Sequence, residues 1–116
     1  MADDVIRNDI DRVGLSEKSK LILEELIVDG HFKDNLSCYR LAVSLAINNK
    51  IDISQHVVKR PEGHMYLISQ VDPNSIFSDV ITDLFPQYKD EKYRALEKFA
   101  DLGMMQLKET IDKNGS

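Results

Sequence analysis

Residues 34–49 read Asp34-Asn35-Leu36-Ser37-Cys38-Tyr39-Arg40-Leu41-Ala42-Val43-Ser44-Leu45-Ala46-Ile47-Asn48-Asn49. Between Cys38 and Ile47 only Arg40 and Ser44 are polar. A helix that is apolar on nearly every side is a buried one, and Asp34 supplies a carboxylate to cap its start. Working backwards, Ser16 is a capping residue for an earlier helix. In that helix Leu23, Leu26 and Ile27 share one face, with Ile22 beside it. Gly30 stands where a left-handed C-terminal cap is expected. Residues 17–49 therefore predict two helices joined near Gly30. The cover of the second helix is either residues 72–111 of the same chain or a second chain. The first makes a compact monomer, the second a dimer.

Further out, Asp11-Arg12-Val13-Gly14-Leu15 alternates polar and apolar, the period of a short strand. Residues 1–9 are expected to be loosely ordered. Pro61 and Gly63 mark a turn in Lys59-Arg60-Pro61-Glu62-Gly63-His64. With Val57-Val58 before it and Met65-Tyr66-Leu67-Ile68 after it, a β-hairpin is expected within 50–71. Asp72-Pro73 predicts a helix start, a capping carboxylate followed by proline at the first helical position. Ile76, Phe77, Val80, Ile81 and Leu84 then recur along one face, and Pro86 stops that helix. Over 90–113, Tyr93, Leu96, Ala100, Gly103, Leu107 and Ile111 form one stripe. Gly103 either divides two helices or lies inside one helix at a close contact. The expected fold is mainly α with minor β, a single domain over 1–116. Its parts are a strand–helix–helix unit at 11–49, the hairpin at 50–71 and amphipathic helices at 72–113.

The chain has 116 residues and a formal net charge of −5, with 42% hydrophobic and 30% charged side chains. That is the balance of a folded globular chain. No apolar run approaches the roughly 18–20 residues that a membrane span needs. The first residues, MADDVIRND, hold neither the basic nor the apolar stretch of a signal peptide. With one cysteine, Cys38, no intramolecular disulfide can form, and a cytoplasmic location is expected. Residues 1–30 hold eight acidic and four basic side chains, and residues 70–116 nine and six. Only residues 31–69 are net positive, with five basic against three acidic. Phosphate contacts would fall there, on Lys59 and Arg60 with His56 and His64 close by.

Catalysis is not expected of this chain. His31, His56, His64 and Cys38 have no metal-ligand spacing, and no metal or other cofactor is expected. Cys38 lies near a helix N-terminus, which can activate a thiol, but the apolar run around it suits a small buried hydrophobe. Asp79 and Asp83, one turn apart, could serve as an acid–base pair. They are read instead as a solvated face opposite the Ile76/Val80/Leu84 stripe. The glycines are scattered, so no phosphate loop is present.

The order strand, helix, turn, helix over 11–49 resembles the ribbon-helix-helix family. It rests on Arg12-Val13-Gly14-Leu15-Ser16, then Leu23, Leu26 and Ile27, then Gly30, then Leu41-Ala42-Val43-Ser44-Leu45-Ala46. Arg40 before that last run is similar to the small E-type subunits of bacterial DNA phosphorothioation systems. The resemblance covers about a third of the chain. It implies a homodimer whose strands pair into a ribbon, with Val13, Leu15, Leu41 and Leu45 at the interface. It further implies DNA contact through outward ribbon residues, here Ile10, Arg12 and Gly14, and through the start of the second helix. Arg12 alone among them is a good base reader, and Asp9, Asp11 and Asp34 depart from the pattern by placing negative charge beside the expected phosphates.

Two functions are weighed on these grounds. The first is a DNA-associated dimer, either a regulator or an accessory subunit of a DNA-modification or defence system, contacting DNA through Arg12, Lys59 and Arg60. The second is a non-enzymatic subunit that engages a partner protein through its acidic C-terminal helices. The resemblance puts DNA slightly ahead.

Overall fold

The computed structural model of the chain describes residues 9–61 and 65–114. Their order is strand β1 (Arg12–Gly14), helix α1 (Glu17–Val28), helix α2 (Asn35–Asn48) and strand β2 (Met65–Leu67). A single helical turn α3 (Ile68–Val71), helix α4 (Ile76–Leu84), a 3-10 turn (Pro86–Tyr88) and the long helix α5 (Lys92–Asn114) complete it. The fold is mainly α with minor β, as expected.

Local chemistry sets the helix ends. The Ser16 side chain accepts from the Ser19 amide at the start of α1. At its end Gly30 takes φ +82°, and the His31 amide returns to the Leu26 carbonyl. This is the left-handed cap that only glycine adopts without steric cost. Asp34 caps α2 by accepting from the Ser37 amide at 2.8 Å. That bond and the Ser37 hydroxyl hold the Asp34 carboxyl below its ordinary range.

α5 is the cover of α2. Cys38, Tyr39, Ala42, Val43, Ala46 and Ile47 on α2 are buried, as are Leu96, Phe99, Ala100, Gly103, Met104 and Leu107 on α5. Gly103 lies inside a continuous helix. A Cβ built on it would stand 2.0 Å from the Ala42 carbonyl oxygen and 3.2 Å from the Ala46 Cβ. Small residues on both helices let the two backbones touch. β1, α1 and α4 close the rest of one core around this crossing, adding Val13, Leu15, Ile22, Leu23, Leu26 and Ile81.

The hairpin expected at 50–71 is corrected. Met65–Leu67 is a strand, but it pairs antiparallel with β1, in the register Arg12↔Leu67, Val13↔Tyr66 and Gly14↔Met65. Val57 and Val58 belong to no strand, and Val57 is 70% exposed. Val13 and Tyr66 face inwards, where Tyr66 meets the Tyr39 ring edge-on at 5.2 Å. A non-local partner with a buried face therefore wins over the adjacent valines, of which Val57 is exposed and Val58 only partly buried. Glu62, Gly63 and His64 of the expected turn lie outside the described residues.

The helix start at Asp72-Pro73 is also shifted. α4 begins at Ile76, after Ser75 in a left-handed conformation, φ 59°. Asp72 still caps it, from further back: its carboxylate accepts from the Phe77 and Ser78 amides, both at 3.0 Å, and from the Tyr93 hydroxyl at 3.2 Å. Asp9, placed among loosely ordered residues, caps α5 by accepting from the Tyr93 and Arg94 amides. No helix among the described residues is long and apolar enough to cross a membrane.

Candidate functional site

Three features can carry chemistry or recognition: a buried carboxylate pair on α5, an arginine-lined concavity beside β1, and the outer face of α4.

Glu97 and Asp101 lie one turn apart on α5, and both are buried. Glu97 accepts from the Gly14 amide at 2.8 Å and pairs with Arg60 Nε at 3.1 Å. Asp101 accepts from the Ser16 amide and hydroxyl, both at 2.8 Å, and meets His56 Nε2 at 2.7 Å. The Tyr39 hydroxyl donates to the Gly14 carbonyl, and the Ser19 hydroxyl to the Asp101 carbonyl. Burial raises the Glu97 carboxyl, against the lowering by the Gly14 amide and Arg60. Burial likewise pushes the Tyr39 hydroxyl well up, helped by the charge of Glu97.

This pair looks like acid–base chemistry, yet it is committed to structure. Each carboxylate accepts from a backbone amide at or just after β1, Gly14 for Glu97 and Ser16 for Asp101, and holds one side chain, Arg60 or His56, of the irregular strap that precedes β2. Among the described residues, no buried side-chain nitrogen or oxygen lacks a hydrogen-bond partner. A buried network partnered in this way fixes packing, and its outer edge, His56 and Glu97, lines a concavity of about 190 Å³ with Val57, Val58, Arg94 and Lys98. The sequence reading missed both residues. Their signal was position: they lie between Leu96, Phe99 and Ala100, on the widened buried arc of the helix.

Of the residues expected to touch DNA, Arg12 and Arg60 come together. With Ile10 and Met65 they line an open concavity of about 490 Å³. Asp9 and Asp11 line it as well, so two carboxylates stand beside the two guanidinium groups. Arg60 is further occupied by Glu97. Lys59 is exposed on the strap but does not line the concavity. Of the ribbon positions expected to face outwards, only Arg12 does so; Gly14 is buried and Ile10 packs partly against the core.

The expected interface residues separate. Val13 and Leu15 are enclosed by this chain's own core, and Leu45 is partly buried against it. Leu41 is 44% exposed. Arg40, beside it, donates to the Gln70 and Val71 carbonyls and ties α2 to the end of α3.

Cys38 is buried and its Sγ lies 3.8 Å from Met104 Sδ. Burial pushes its thiol up to about 11, the opposite of what a nucleophile needs. His31 is exposed at the α1–α2 turn, and His64 lies outside the described residues. Among the described residues, no group of three or more metal-ligating side chains is gathered.

The outer face of α4 differs from expectation. The sequence stripe Ile76, Phe77, Val80, Ile81, Leu84 is split in two. Ile81 is buried and Phe77 half-buried, whereas Ile76 and Leu84 are 61% and 56% exposed, with Val80 between them partly exposed. Asp79 and Asp83 are exposed too. They stand three residues after Ile76 and Val80, which makes them neighbours of the stripe on the helix surface. The expected opposition of the aspartates and the stripe is therefore corrected. The reason is that a nine-residue helix packed mainly on α5 buries only one arc, centred on Ser78 and Ile81.

Compared with protein-family models, curated proteins and solved structures, the chain has no match.

Proposed function

We propose that this chain is a non-enzymatic protein-interaction subunit that engages a partner through its acidic C-terminal helices. The observation that carries this reading is the outer face of α4, where Ile76 and Leu84 remain exposed and Val80 between them is only partly covered, beside Asp79 and Asp83. Among the described residues neither aspartate makes an ion pair. Apolar side chains bordered by unpaired charge are the composition of a recognition surface. The saturated Glu97–Asp101 network and the buried Cys38 thiol support a role without catalysis.

The test is reciprocal co-purification after nuclease treatment. The tagged chain is expected to retain a protein partner in stoichiometric amount, and the tagged partner to retain the chain. Recovery only of material that nuclease removes, or of nothing, would overturn the reading.

A second reading is kept because Arg12 and Arg60 converge on one concavity. On it the chain is a DNA-associated dimer, a regulator or an accessory subunit of a DNA-modification or defence system. The net charge of −5 and the carboxylates of Asp9 and Asp11 in the same concavity weigh against it. An electrophoretic shift series across salt separates the two. The interaction reading predicts no shift even at low salt. The DNA reading predicts a shift that weakens steeply with salt and falls in Arg12→Ala and Arg60→Ala.

A further inference from the structure

Three residues define a ridge on α4. Ile76, Val80 and Leu84 follow at intervals of four, the spacing that aligns side chains along one edge of a helix. The ends of the ridge are more than half exposed. At its N-terminal end lies a concavity of about 250 Å³ walled by Val71, Pro73, Ile76 and Phe77, with Arg40, Asp72 and Asn74 at its edge, room for one large apolar side chain. Met65 and Leu67, 42% and 45% exposed, make a shorter pair on the outer face of β2. On α1, Leu21 and Val28 are two turns apart with Glu24 and Glu25 between them, and Glu25 is taken up by Lys108 at 2.9 Å.

The charge that borders the length of the ridge is acidic. Asp79 and Asp83 stand beside it, and among the described residues neither makes an ion pair. Arg40, the cation that lines the concavity at one end of the ridge, is held by the Gln70 and Val71 carbonyls and makes no ion pair with Asp79 or Asp83. Burying the ridge against an uncharged or acidic surface would strip water from two carboxylates without compensation. A second copy of this chain docking ridge on ridge would set four aspartates around one contact, which like-charge repulsion opposes.

We propose that the Ile76–Val80–Leu84 ridge is the docking helix of this chain, and that its partner presents an apolar groove edged by lysine or arginine side chains. The proposal rests on the interaction reading above and deepens it. Recognition is helix-in-groove: three aliphatic anchors on one edge give affinity, and the aspartates fix orientation and exclude acidic grooves. The partner's own apolar anchor fills the concavity beside Pro73 and Phe77.

The test uses the full chain and two labelled synthetic helical peptides. Both carry a leucine face; one is bordered by lysines, the other by glutamates. Fluorescence anisotropy is expected to show binding to the lysine-bordered peptide and about tenfold weaker binding to its twin. Ile76→Ser with Leu84→Ser is expected to weaken the lysine-bordered complex by about tenfold or more, with the circular dichroism spectrum and melting temperature retained. Asp79→Lys with Asp83→Lys is expected to reverse the preference. Leu21→Ser with Val28→Ser, away from the ridge, is expected to change neither. Equal binding of the two peptides, or full binding by the ridge variant, overturns the proposal, as does self-association of the chain through the ridge. In the reciprocal purification, a partner retained by the Ile76→Ser/Leu84→Ser variant removes the ridge but leaves the interaction reading. Loss of every protein partner from the unaltered chain removes the reading itself.

Discussion

Gly103 of α5 stands so close to Ala42 of α2 that a methyl group on it would lie 2.0 Å from the Ala42 carbonyl oxygen. The obstacle is backbone, which cannot swing aside as a side chain can. Gly103→Ala must therefore separate the two helices that hold most of the core. A cost of about 1–3 kcal/mol or more is expected from overpacking, exceeding the gain of up to about 1 kcal/mol that alanine brings to a helix interior. Urea unfolding of the variant is expected to show a lowered midpoint; an unchanged or raised midpoint would contradict the crossing.

Asp101 holds the β1–α1 junction and the strap at once. Asp101→Ala leaves the Ser16 amide without its acceptor and His56 without its partner. A loss of about 1–3 kcal/mol is expected, the usual cost of leaving a buried donor without its acceptor. His56→Ala, which removes only the partly exposed side, is expected to cost less. Chemical denaturation of the two variants side by side checks the order.

The Glu97 carboxyl is raised by burial above its ordinary value of 4.5. The folded state therefore binds this proton more tightly than the unfolded state. Its contribution is fully present below pH 4.5 and is lost as pH rises through the raised folded value. Glu97→Gln cannot titrate. The stability of the unaltered chain relative to this variant is expected to fall as pH rises from 4.5, measured as the difference between two urea midpoints at each pH. A difference that grows with pH would contradict the assignment.

Cys38 is enclosed between α2 and α5 with its thiol pushed up to about 11. Alkylation at pH 8 is expected to proceed only through opening of the core. Its rate should rise with Gly103→Ala and in denaturant; a fast reaction in the native chain would contradict the burial.

Asp9 lies more than 80 residues before the helix it caps. Asp9→Ala is expected to cost about 1 kcal/mol. It should also speed hydrogen exchange at the Tyr93 and Arg94 amides before any effect on the α2–α5 crossing. Unchanged exchange at those two amides would contradict the cap.

The local signals were legible. Ser16, Gly30 and Asp34 mark the ends of α1 and α2 because capping acts within a few residues, and the apolar run from Cys38 to Ile47, interrupted only by Arg40 and Ser44, announced a buried helix. The pairing of β2 was not legible, because the valines at 57–58 are near in sequence whereas β1 is near only in space. Asp9 hid its role for the same reason, whereas Asp72 was legible as a cap and only the helix start, at Ile76, lay further on. Glu97 and Asp101 read as ordinary helix charges, since burial of a carboxylate depends on donors from β1 and the strap. The α4 ridge hid inside a correct periodicity: the spacing identified an apolar face, but the width of that face exceeds what α5 covers.

The central claim is that α2 is sealed by α5 of the same chain, leaving the α4 ridge for a different partner rather than for a second copy. Sedimentation equilibrium of the isolated chain tests it most directly. The mass of one chain, 13.3 kDa, is expected across the accessible concentration range. A stable mass of twice that value would contradict it.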